Sequence, residues 1–197
     1  MTGSHSILNP VVAALAALMI AGAPPVAAQT APPPAAEPAP DDVPGLLAAL
    51  ADPAHRAWRR TEREILRVWS RSGSPSMDLL LQRGRQAMRD GDNAAAIEHL
   101  TALVDHAPDF AEGWNARATA YYNAGQYGPS VDDIAMTLSL NPHHWGALSG
   151  LGMILEQTGS KTAALGAYRA ALAIHPHLDA IRERVERLAR ETQGQDI

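Results

Sequence analysis

The densest concentration of residues able to do chemistry runs Asn141-Pro142-His143-His144-Trp145-Gly146-Ala147-Leu148-Ser149-Gly150-Leu151-Gly152. Imidazoles titrate near neutral pH and ligate metals, and glycines let backbone come close to a ligand. His175 and His177 flank a further proline, Pro176, and His106 stands two residues before Pro108. His143, His144, His175 and His177 are therefore the candidate ligands for Zn²⁺ or Cu²⁺. Thr158-Gly159-Ser160-Lys161-Thr162 resembles the end of a phosphate loop, but the required earlier glycine is Ile154 and no strand precedes it. Gly150-Leu151-Gly152 lacks a third glycine, and Ser72-Gly73-Ser74 lacks the strand that a nucleophile elbow needs. Nothing places a Ser, a His and an acid together. The expectation is a chain that is not an enzyme and has no cofactor, with a metal-carrying role through the four histidines as an alternative.

The composition narrows the elements that position these residues. The chain has 197 residues, 46% hydrophobic but only 5% aromatic, and alanine is abundant, which suits closely packed helices better than a sheet. Cysteine is absent, so disulfides, thiolate metal sites and a cysteine nucleophile are excluded. A net charge of −5 argues against nucleic acid, whose phosphates need clustered cations.

Three segments precede the body. Residues 1–28 contain an apolar run, Val11 to Gly22, and a small-residue end at Ala27-Ala28. They read as a signal peptide, too short to span a bilayer, which predicts export to the periplasm or beyond with no stable membrane span after cleavage. The Pro/Ala-rich stretch 29–44 reads as an extended linker. In 45–73, Asp52-Pro53 suits a helix start, and Trp58, Ile65 and Trp69 form an apolar stripe among Arg56, Arg59, Arg60, Arg63, Arg67 and Arg71. This amphipathic segment is expected to lay its tryptophans on the body and solvate its arginines, with binding to an anionic surface as an alternative.

Pro108, Pro142 and Pro176 then recur every 34 residues, and a shift of 34 aligns other columns. Gly91, Gly125 and Gly159 form one; Gly84, Ala118 and Gly152 form a small one; Leu80, Trp114 and Leu148 form a large one. Each unit predicts two helices, broken by the turn glycine and ended before the proline. The small columns let the two helices approach. The expected units are 77–110, 111–144 and 145–178, with a polar capping helix over 179–192 that seals an open stack.

These columns resemble the tetratricopeptide repeat family, with Trp114, Tyr121, Pro142, Leu148, Gly152, Leu155, Ala164, Tyr168, Ala171 and Pro176 carrying the likeness. Arg83, Arg117, Ser130 and Thr137 depart from it. The resemblance implies an all-α, right-handed solenoid of helical hairpins, preceded by the amphipathic helix, acting as a non-catalytic scaffold for a protein or peptide. It implies a concave groove lined by Leu81, Arg85, Met88 and Arg89, by Asn115, Thr119, Tyr122 and Asn123, and by Ser149, Met153, Glu156 and Gln157. Arg85 and Arg89 would offer donors to a carboxylate. Some relatives grip C-terminal carboxylates with a Lys/Asn/Arg clamp; the matching positions here hold Leu81, Arg85, Ala116, Gly146 and Gly150, so that clamp is not expected. Gly146 and Gly150 would leave the groove open at its third unit.

Overall fold

The structure is a computed structural model that describes residues 42–193, all within one compact unit. The expected signal segment, and the linker up to residue 41, lie outside the described residues. Those described form α1 (Val43–Ala51), α2 (Trp58–Trp69), α3 (Pro75–Arg89), α4 (Asn93–His106), α5 (Ala111–Asn123), α6 (Tyr127–Leu140), α7 (Trp145–Gln157), α8 (Lys161–Ile174) and α9 (Asp179–Gln193).

Three hairpins, α3–α4, α5–α6 and α7–α8, make up the body, and α9 packs on α8. Gly91, Gly125 and Gly159 join the helices of each pair with φ of 78°, 73° and 83°, a left-handed region that a side chain rarely enters. The small columns explain themselves by distance. A Cβ on Gly84 would come within 2.4 Å of Leu100, and one on Gly152 within 2.4 Å of the Tyr168 ring. Both glycines stand where two helices touch, and the large residue of the second helix fills the space that the missing side chain leaves.

Of the polar departures from the repeat pattern, Arg83 is exposed and Arg117, Ser130 and Thr137 are satisfied within the chain. Arg117 of α5 forks onto Asp133 of α6, with Nε to Oδ2 and Nη2 to Oδ1 both at 2.8 Å, and its guanidinium lies over the Trp114 ring. The ion pair holds the Arg117 charge more firmly than usual, against the cost of burial. Ser130 donates to the Ala118 carbonyl at 2.8 Å, and Thr137 to that of Asp133 at 2.9 Å. Their hydroxyls therefore sit in the core without an unmet donor.

The N-terminal segment differs from its expectation. It is a pair of helices, and α1 already begins at Val43, inside the stretch read as linker, with the Asp42 carboxylate accepting from the Gly45 N–H at 3.1 Å. Asp52 ends α1 instead of starting a helix. The reason is the Leu46 and Leu50 pair, spaced one helical turn apart and both buried, which needs helix on the near side of Asp52. These leucines pack with Ile65 of α2 against Trp145 and Ala171 of the third hairpin.

The tryptophans of α2 rest on the inter-repeat turns. Trp58 stacks on His177 at 4.8 Å between ring centroids and meets His175 edge-on at 5.6 Å. Trp69 stacks on His144 at 4.9 Å and packs on Trp145 at 4.5 Å. The hairpin α1–α2 thus runs along the edge where the prolines stand, and Arg56, Arg59, Arg63 and Arg71 are exposed on it.

Candidate functional site

The first helices of adjacent pairs touch one another, α3 with α5 and α5 with α7, and so form the inner row, with α4, α6 and α8 behind them. The inner row carries a cavity of about 80 Å³ between α5 and α7. Its floor is Ala118, Ser130, Ile134, Ala147 and Ile154, and at its rim stand Asn115, Thr119, Tyr122, Gly146, Gly150 and Met153. Four expected groove residues, Asn115, Thr119, Tyr122 and Met153, are therefore brought together. Gly146 and Gly150 open the wall: a Cβ on Gly150 would meet only Ile134 Cδ1, at an ordinary 3.6 Å.

Other expected lining residues lie elsewhere. Leu81 is 2% exposed and packs with Leu100, Leu103, Ala116 and Ala120, so it is core and not groove. Met88 is half-buried against the same cluster. Arg85 is not a free donor, because Nη2 holds Glu112 Oε1 at 2.5 Å while the guanidinium also reaches Ser70 at the end of α2. Glu156 turns toward α9, where Arg184 and Arg187 pair with it and the Tyr168 hydroxyl donates to it at 2.9 Å. Burial pushes the Glu156 carboxyl up, and these donors outweigh it and hold it below the usual range. Gln157 accepts from the Tyr127 hydroxyl, Ser149 donates to the Trp145 carbonyl at 2.8 Å, and Arg89 donates to Gln86 at 2.6 Å. Asn123 is exposed at the end of α5.

Glu112 was not anticipated. It is 7% exposed at the start of α5 and sits between Arg85 and His144. His144 Nδ1 accepts from the Ala147 N–H at 3.1 Å, capping α7, which leaves the ring proton on Nε2 to donate to Glu112 Oε2 at 2.8 Å. Burial pushes the Glu112 carboxyl up, but the His144 hydrogen bond and the Arg85 charge prevail and keep it below the ordinary carboxylate value. Through one carboxylate the network joins α3, α5 and the capping residue of α7.

The histidines are placed by packing. Both ring nitrogens of His144 are engaged, His143 is exposed, and His175 is fully buried with Nε2 at 3.2 Å from Glu62 Oε1. His175 Nδ1 is buried with no partner among the described residues, and burial pushes the imidazole below its ordinary value against the pull of Glu62. No group of three or more His, Asp or Glu side chains converges to hold a metal ion among the described residues.

Known proteins match the repeat and its fold. The tetratricopeptide repeat family model matches residues 81–129 and 130–179. A TPR repeat-containing protein of Rhizobium etli is 37% identical over 131 residues, which span 66% of this chain and 64% of that relative's length. Among solved structures, the Sgt2 TPR domain from Aspergillus fumigatus superposes with a TM-score of 0.58 at 24% identity, covering 62% of this chain and 83% of that one. The first TPR domain of RPAP3, solved bound to the HSP90 peptide SRMEEVD, gives 0.58 at 19%, covering 61% and 98%. MamA gives 0.57 at 19%, covering 74% and 87%. With half of its length matched by the family model and the paired helices in place, this chain belongs to the tetratricopeptide repeat family.

Proposed function

We propose that the chain is an exported, non-catalytic scaffold that holds an extended segment of a partner protein along the inner row of α3, α5 and α7. The open cavity at Asn115, Thr119, Tyr122 and Met153 carries this reading, since it is a concave, mainly apolar site edged by a few polar groups. The likeness in fold to a domain solved with a bound peptide supports it. Export is supported by the apolar run Val11 to Gly22 and the small residues that follow. Among the described residues no helix is long and apolar enough to cross a membrane.

A photo-crosslinking amino acid tests the groove. Placed at Thr119 in the full chain in its native cells, it should capture a discrete partner; placed at Ala135, on the exposed side of α6, it should not. Equal capture at both positions contradicts the groove, and N-terminal sequencing of the envelope fraction should find a mature chain that starts at Gln29.

A further inference from the structure

We infer that the groove selects an uncharged, extended segment that seats one branched aliphatic side chain, of valine or isoleucine size, in the cavity between α5 and α7; this rests on the groove reading above. The cavity is a local departure from the repeat. Between α3 and α5 the equivalent space is closed by Leu81, Glu112 and Ala116, exposed by 2%, 7% and 3%. Thirty-four residues on, the same three positions hold Asn115, Gly146 and Gly150. The leucine body has become a short amide, and two side chains have been removed altogether. Beneath these positions the buried Ala118, Ile134 and Ile154 form an apolar floor.

Charge and size then define the occupant. Apart from the Tyr122 phenol, no lining residue is ionisable. No arginine lines the cavity, and Arg85 and Arg117 of the first helices are held by Glu112 and Asp133. A carboxylate entering here would lose its hydration with no cation among the lining residues to replace it, whereas an aliphatic group gains from burial. A cavity of roughly 150 Å³ takes a benzene ring. The 80 Å³ here is about half of that and has room for a branched aliphatic end. Asn115 reaches Glu112 only at 3.4 Å, so its amide can turn to the backbone of a peptide lying across the rim.

The test is selection of a random 12-residue displayed peptide library on the full chain, followed by anisotropy titration of the enriched peptides as free acids and as amides. The enriched peptides should share one Val or Ile. Amidation should leave affinity unchanged, and Phe or Asp at the shared position should weaken binding at least tenfold. Gly150→Leu fills the cavity without backbone conflict and Asn115→Leu restores the residue of the first unit, so each should weaken binding tenfold or more, while Gly166→Leu, whose added Cβ meets nothing within 4 Å, should not. Thermal melting of each variant verifies its fold. A preference for acidic or free-carboxylate peptides, or binding untouched by both cavity-filling variants, overturns this inference and leaves the groove reading standing. No enriched peptide together with no capture at Thr119 removes both.

Discussion

At the scale of single residues, identity is set by what lies across the helix pair. Gly152 was legible in the sequence, because a small column at every 34th position announces a close approach, and the Tyr168 ring at 2.4 Å from its absent Cβ is that approach. Gly166 has nothing within 4 Å and only weakens its helix. Gly152→Ala should therefore destabilise the fold by about 1 to 3 kcal/mol through overpacking. Gly166→Ala should stabilise it by up to about 1 kcal/mol through helix propensity. Urea unfolding of both variants beside the parent checks the opposite signs. Arg117 was not legible: its partner Asp133 follows 16 residues later, and a repeat pattern records that an apolar column is broken but not what satisfies the replacement. Leu81 shows the same limit, since its position in the repeat suggested the groove while its burial depends on Ala116 and Ala120 of the neighbouring unit.

At the scale of elements, the hairpin α1–α2 is the part least visible in the sequence and the part that gives the turn histidines their role. The apolar stripe of Trp58, Ile65 and Trp69 pointed to a body-facing helix, but the surface that receives it is assembled from two turns one repeat apart, and Glu62 meets His175 across 113 residues of sequence. The reading of His143, His144, His175 and His177 as a ligand set followed from their spacing alone. In the fold, three of these imidazoles lie beside tryptophans of α2 and only His143 stands exposed. His175 is the element's titratable seat. Its folded value is lowered by burial, so below about 6.5 the unfolded chain binds a proton that the folded turn resists. The contribution of His175 is thus complete above that value and is lost as pH falls through the window between the two. Acidification from pH 7.5 to 5 should loosen the Trp58 contact before the repeats unfold, seen as a red shift of tryptophan emission that precedes loss of helical circular dichroism. A single coincident transition would show that the hairpin has no separate seat.

At the scale of the whole molecule, the tetratricopeptide scaffold supplies a regular inner row, and the proposed binding site lies where regularity lapses. Units one and two close their shared space with Leu81, Glu112 and Ala116; units two and three leave theirs open at Asn115, Gly146 and Gly150. The glycines at 146 and 150 could be seen in the sequence as positions the repeat does not require. Their meaning needed the fold, because the cavity is bounded by three helices at once. Hydrogen exchange of the full chain, alone and with the partner captured at Thr119, tests the central claim most directly. The account predicts slowed exchange in α5 and α7 with α4, α6 and α8 unchanged; slowing confined to the outer helices or to the α1–α2 edge would contradict it.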